Sequence, residues 1–392
     1  MRRILFCWEL GGGYGHLYPV LPFLLEFKRL GHDVGVAVKN LARAEEVFGR
    51  HEIKVLQAPM WWTPERSFPI SVNYARNLFG NGYWYSPALT GNLKAWLNLF
   101  DIWQPDLVFA DHAPTALLAA RSAGIPRVAF GSGFVLPPLL SPMPSLQPWF
   151  PIPQKILDSR EKEVLDQINS VLKALGFNIL RCVADLFEGT EVFLTTFPEL
   201  DHYGPRSGVR YWGPIVSSGS GVGSTWEKRG DKKVFIYLDY RYRFLKEIFQ
   251  QIRELDLPTL AFIRNMPEKS AEALGGRNIE FSPGPVSLER VVEQSHFVIT
   301  HGGINTSSFL LLSGKPLLIL PEQLEQCLWA YRVTEQKLGL MVNWFQSEPD
   351  FGRKLGELVD PQTDFERLSQ FAHKYREYDS LETVRKICLL LS

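Results

Sequence analysis

The chain opens with MRRILFCWELGGGYGHLYPVLPFLLEFKRLGHDVGVAV (residues 1–38), and the order of elements in this stretch sets the fold class. The apolar run RILFCW predicts a β-strand, Leu17 to Leu30 is amphipathic at helical spacing, and DVGVAV predicts a second strand. Gly11, Gly12 and Gly13 form a turn between the first two, with the helix expected to start near Gly15. Gly11 and Gly13 fit a dinucleotide fingerprint, but His16 stands where its third glycine belongs. No Lys-Ser/Thr pair follows, so the turn is not a Walker loop either. The strand thus delivers an imidazole to its own carboxyl end, where a phosphate cradle is usual.

The alternation continues along the chain. DLVFAD, RVAF and EVFLTT are strand-like runs separated by helix-length segments. In EKEVLDQINSVLKAL, Val164, Leu165, Ile168, Val171, Leu172 and Leu175 share one helical face. A Gly/Ser-rich connector, 213–231, has little to bury. The pattern then restarts with KVFIYL, TLAFI, NIEF, HFVIT and PLLILP. This predicts an α/β chain of two doubly wound, Rossmann-like parallel-sheet domains, 1–212 and 232–370. Residues 371–392 predict a C-terminal helix whose apolar face would pack back on the first domain.

Composition narrows the class. The chain has 392 residues, 45% of them hydrophobic and 21% charged, an ordinary globular balance. Lys plus Arg and Asp plus Glu both number 42, so there is no basic footprint for nucleic acid. Cys7, Cys182, Cys327 and Cys388 are scattered without metal-ligand spacing, which fits a reducing compartment. No apolar run approaches bilayer-spanning length, and the first strand is too short for a signal peptide. A cytoplasmic enzyme is the expectation, with no metal and no cofactor site.

Two features interrupt the first domain. Residues 60–103 are crowded with aromatics, about half expected as core and half as an apolar groove for an acceptor. Trp61, Trp62, Tyr83 and Trp84 are the groove candidates. The proline-rich 133–151 predicts a stiff loop beyond a strand's carboxyl end, adding Phe134 to the acceptor side.

His16, placed at a helix N-terminus, would be kept neutral by the helix dipole, as a general base requires. Asp111 ends the strand DLVFAD on the same sheet edge and is its candidate orienting acid. The competing reading makes Asp111 the N-cap of a helix beginning near Pro114. In VITHGGINTSSFLLLSGKPLLILPEQLEQ (298–326) a strand ends at Thr300, a glycine turn follows, and Asn305, Thr306 and Ser307 open a helix. Free N–H groups, a positive dipole end and His301 outline an anion site. Glu325 and Gln326 lie beyond the next strand, suited to sugar hydroxyls.

This second stretch resembles the signature of the nucleotide-sugar glycosyltransferases of GT-B fold, the superfamily of plant secondary-metabolite and macrolide enzymes. The pattern His-x-Gly-x-Asn-Ser/Thr, Gly-x-Pro, Pro, Asp/Glu-Gln is matched by His301, Gly303, Asn305, Thr306, Gly314, Pro316, Pro321, Glu325 and Gln326. GGGYGHLYP is similar to the family's Gly-His-x-x-Pro segment, which carries over His16 as base and Asp111 as its partner. The resemblance implies two domains facing a cleft and an inverting, metal-independent transfer from a nucleoside diphosphate sugar to an apolar or sugar-bearing acceptor. It implies donor contacts from Gly13, His301, Gly303, Asn305, Thr306, Glu325 and Gln326. Three departures stand out: Phe309 replaces a ribose-binding Glu, Asp239-Tyr240 replaces a glycine-bearing loop, and FSPGPVS replaces a Trp-x-Pro-Gln segment. Two rival readings are a lipid-linked N-acetylglucosaminyltransferase in peripheral contact with a membrane, and a non-catalytic binding protein of the same fold.

Overall fold

The computed structural model describes residues 1–61, 70–216, 221, 226, 232–342 and 349–392. The chain forms two compact units: Met1–Ile215 with Asp379–Ser392, and Val216–Tyr378.

The first unit is built on six parallel strands: β1 (Arg3–Trp8), β2 (Asp33–Val38), β3 (Lys54–Gln57), β4 (Leu107–Asp111), β5 (Arg127–Gly131) and β6 (Glu191–Leu194). Their order in the sheet is β3-β2-β1-β4-β5-β6. Side chains alternate across a strand, and β1 shows why this sheet needs cover on both faces. Leu5 and Cys7 enter one core with Tyr74, Tyr83 and Trp96 of the aromatic segment. Ile4, Phe6 and Trp8 enter the other, with Phe23 and Phe27 of the helix Leu21–Arg29. Phe109 and Phe130 stack there with centroids 4.5 Å apart.

The C-terminal helix Ser380–Leu391 belongs to this unit and buries Val384, Ile387, Cys388 and Leu391 in the second core. Arg2 Nη1 donates to the carbonyl of Leu391 at 2.7 Å, and Asp379 caps the helix by accepting from Leu381 N–H. The preceding helix, Glu366–Lys374, is part of the second unit.

The second unit repeats the plan with β7 (Val234–Asp239), β8 (Thr259–Arg264), β9 (Ile279–Phe281), β10 (Phe297–Thr300), β11 (Leu317–Ile319) and β12 (Leu340–Met341). The order is β12-β11-β10-β7-β8-β9, again parallel throughout. In both sheets the connections run outward in opposite directions from a central pair, β1/β4 and β7/β10. Ligands of open α/β sheets bind beyond the carboxyl ends of such a pair.

One expected boundary moves. The first helix starts at Leu21, not near Gly15, and Gly15–Val20 is a turn in which Tyr14 O accepts from Leu17 and Tyr18 N–H. Pro19 has no N–H to give to a helical ladder, while Pro22 sits in the helix's first turn, where a missing N–H costs nothing. Most of the connector and Trp62 lie outside the described residues. Among those described, no helix is long and apolar enough to cross a membrane.

Candidate active site

β1 and β4 pair with Trp8 opposite Asp111, so the residues after Trp8 and the Asp111 side chain share the carboxyl edge. His16 Nδ1 lies 2.8 Å from Asp111 Oδ2, with both side chains largely buried. The indole of Trp8 stacks on the imidazole at 5.2 Å, and its Nε1–H donates to Leu10 O. Gly11 adopts a φ of +81°, and a Cβ there would stand 2.5 Å from His16 Nε2. Glycine is therefore required both by the backbone and by the ring lying against it. His16 precedes the helix by five residues, so the helix dipole is not what conditions it. The carboxylate and the indole are among its immediate neighbours.

Asp111 is not a cap. The helix Pro114–Ser122 has Ala113 at its N-cap position without a side-chain cap. Glu9 satisfies its first turn instead: Oε2 accepts from Thr115 N–H at 2.8 Å and Ala116 N–H at 3.4 Å. Glu9 Oε1 accepts from Trp61 Nε1–H at 3.0 Å. Burial raises the Glu9 carboxyl to about 7, against the opposing pull of these hydrogen bonds.

The acceptor candidates separate. Tyr83 is fully buried, its hydroxyl 2.9 Å from Thr115 Oγ1, so it is a core residue and lines no exposed groove. A bulky aromatic with one polar tip satisfied is a core solution. Trp61 packs on Tyr83 at 5.5 Å and is tethered to Glu9. Trp84 is half-buried against Tyr85. Phe134 is buried and meets His112 edge-on at 6.0 Å.

His112 was not singled out by spacing, yet it stands next to Asp111 with its ring 6.0 Å from that of His16. Its φ is +44°, unusual for a non-glycine residue, and its Nε2 has no partner among the described residues. Burial, followed by His16 and Lys39, holds its pKa well below the ordinary histidine value. The available signals were the acidic Glu9 before the glycine turn and the imidazole at a strand end, and neither says which partner it meets.

In the second unit, His301 follows β10 directly. Gly302 turns the chain with φ +85°, and a Cβ there would come within 2.7 Å of Ile319 Cγ2. Gly303 is the N-cap of the helix Ile304–Leu312 and supplies no side-chain cap, so Asn305 and Thr306 stand in a first turn whose N–H groups are not satisfied by a capping residue. His301 is 8% exposed, meets the ring of Tyr237 edge-on at 5.1 Å, and has no partner for Nδ1 among the described residues. Burial, then the neighbouring Arg264, lowers its pKa to about 4. It is therefore neutral near pH 7.

Glu325 and Gln326 lie in the first turn of the helix Leu324–Glu335, where Gln326 Oε1 accepts from Glu322 N–H at 2.8 Å. Gly13, with φ +77°, belongs to the first unit's turn. Phe309 is half-buried on the helix Ile304–Leu312. Asp239 ends β7, opposite Arg264 on β8. Burial pushes its carboxyl up, but hydrogen bonds led by Arg241 and supported by Asn265 outweigh this and hold it at about 2.

No family model matches the chain. The PGL/p-HBAD biosynthesis rhamnosyltransferase of Mycobacterium bovis (strain BCG / Pasteur 1173P2) is 23% identical over 311 residues, 71% of this chain. The match spans 66% of that relative's length. Among solved structures, the kitacinnamycin glycotransferase superposes with a TM-score of 0.71 at 18% identity, covering 100% of this chain and 98% of the other. The spinosyn rhamnosyltransferase SpnG complexed with thymidine diphosphate gives 0.68 at 16% identity, covering 99% and 100%. At these identities the likeness shows the fold, and the fold is GT-B.

Proposed function

We propose that this GT-B chain is an inverting glycosyltransferase that moves a sugar from a nucleoside diphosphate sugar to an acceptor hydroxyl, with His16 as general base. The observation that carries this reading is the His16 Nδ1–Asp111 Oδ2 contact of 2.8 Å at the carboxyl edge of the first sheet. With Nδ1 engaged by the carboxylate, Nε2 is the nitrogen that takes a proton. His16 removes the acceptor's proton as its oxygen bonds to the anomeric carbon, and Asp111 stabilises the imidazolium. The bond from that carbon to the diphosphate breaks in the same displacement, which inverts the configuration. The leaving charge falls to the second unit's helix end at Gly303, where Asn305, Thr306 and His301 stand. Glu325 and Gln326 are assigned to the sugar hydroxyls.

Support for a thymidine diphosphate donor comes from Phe309, which cannot demand a ribose 2′-hydroxyl, and from the thymidine diphosphate bound by SpnG. An apolar acceptor is supported by the half-buried Trp84 and by the spinosyn aglycone complex of SpnG. A lipid-linked acceptor is the second reading, favoured by exposed Leu139, Leu140 and Phe150 in the proline-rich loop. Binding to phosphatidylglycerol-containing vesicles, lost on substituting those three with serine, would select it.

The deciding test is calorimetry of the chain with dTDP, UDP and GDP, followed by transfer assays with the sugar of whichever nucleotide binds. Binding with sugar transfer supports the enzyme. Binding without any transfer across a broad panel of phenolic and aliphatic hydroxyls supports the non-catalytic reading.

A further inference from the structure

The second unit's anion site lacks one component. A diphosphate leaving group carries several negative charges, whereas His301 is neutral and the helix end contributes only partial charges. The expected glycine-bearing loop after β7 is absent, and Asp239, an anion, stands in its place. We propose that Arg264 supplies the missing cation and binds the donor's diphosphate, with Asp239 as its positioning residue.

The geometry supports this in four ways. Arg264 ends β8 in register with Asp239, so it reaches the carboxyl edge beside the β7/β10 switch point. Its guanidinium carbon lies 5.6 Å from the centroid of the Tyr237 ring, the same ring that His301 meets edge-on at 5.1 Å. One aromatic thus carries the imidazole and the guanidinium together. His301 in turn stands directly over the helix end, since a Cβ on the N-cap Gly303 would be 3.1 Å from its Nε2.

Third, Arg264 is not saturated. Its Nε is buried without a partner among the described residues, and its contact with Asp239 is a loose 3.7 Å. Fourth, the Asp239 carboxylate is already occupied by closer donors. Arg241 N–H and Nε–H give to Oδ1 at 3.0 and 2.9 Å, and Asn265 Nδ2–H gives to Oδ2 at 2.8 Å. Asp239 therefore holds the arginine's direction without cancelling its charge. Burial, then Asp239, raises the pKa of the neighbouring Glu322, against the pull of Arg264 and Arg241. A planar, permanently charged fork suits paired phosphate oxygens.

This inference rests on the nucleotide-sugar reading for its ligand, and the test separates the two. Calorimetry is run on the full chain and on Arg264→Gln with dTDP, inorganic pyrophosphate and thymidine. Loss of Arg264 should weaken dTDP and pyrophosphate by about 10- to 100-fold, the worth of a hydrogen-bonded charge pair, with thymidine unchanged. Arg264→Lys should recover part of that loss, and it remains informative if Arg264→Gln fails to fold. Asp239→Asn should lose less than Arg264→Gln, again for the phosphates only.

If wild type binds dTDP and Arg264→Gln binds it equally well, Arg264 is an internal ion-pair partner and the inference falls alone. Equal weakening of thymidine and dTDP overturns it too, because that marks a structural effect. Pyrophosphate binding that depends on Arg264, with no nucleotide bound, upholds the site and refutes the nucleotide reading. Failure of wild type to bind dTDP, UDP, GDP or pyrophosphate refutes both.

Discussion

The two sheets have the same strand order and place an imidazole at the same kind of edge, yet they surround it differently. In the first unit the chain leaves β1 through three glycines and spends Gly15–Val20 on a turn before a helix begins. The helix that follows starts five residues beyond His16, and a carboxylate from β4 engages the imidazole at 2.8 Å. In the second unit, two glycines suffice and the helix starts at Ile304 without a side-chain cap, so its first turn lies at the edge itself. Among the described residues His301 has no carboxylate in hydrogen-bond contact, and burial holds its pKa low, at about 4. The length of one turn thus decides whether the edge imidazole stands apart from the helix that follows it or beside that helix's first turn.

The sharpest way to break this contrast is at His16. His16→Ala should lower single-turnover transfer by about 100- to 10,000-fold, the usual worth of a general base. dTDP affinity and the melting curve should stay as in wild type. Asp111→Asn should lower turnover by less, since the base itself remains, and should leave dTDP affinity unaltered. A collapse of donor binding in either variant would erase the division of labour between the two edges.

The converse substitution is His301→Ala. It should weaken dTDP by about 1.5–3 kcal/mol, the range for a hydrogen bond to a charged group, and calorimetry reads this directly. An unchanged dissociation constant would place the phosphate elsewhere.

Buried groups give the two units opposite responses to pH. Glu9, raised to about 7, contributes stability that is fully present below about 4.5 and is lost as pH rises through 7. His301, lowered to about 4, contributes stability present above about 6.5 and lost as pH falls toward 4. Each pKa unit corresponds to about 1.4 kcal/mol. Native-state hydrogen exchange, corrected for intrinsic rates, should show Thr115 and Ala116 amides losing protection between pH 5 and 8. Amides of the helix Ile304–Leu312 should gain it as pH rises from about 4 to 6.5. Parallel trends in both units would contradict the assignment.

The smallest effect concerns the ribose. Phe309 offers no acceptor for a 2′-hydroxyl, so dTDP- and UDP-sugars should differ by less than about a hundredfold in kcat/KM, below what a dedicated polar contact produces.

Local periodicity in the sequence determined the α/β class and the two-sheet organisation, because alternating strand and helix patterns depend only on which residues must be buried. His16, Asp111, His301 and the Gly302–Gly303 turn were legible for a related reason: in parallel sheets the residues just after a strand all arrive at one edge. The late helix start was also written in the chain, in Pro19 and Pro22. Only the tertiary structure decided the partners. Glu9 meets Thr115 from 106 positions away and Trp61 from 52, and Tyr83 lies in the core with its hydroxyl on Thr115. Arg264 and Asp239 likewise face each other through strand register across 25 residues. Such contacts are set by how the sheet is assembled, and no spacing along the chain encodes them.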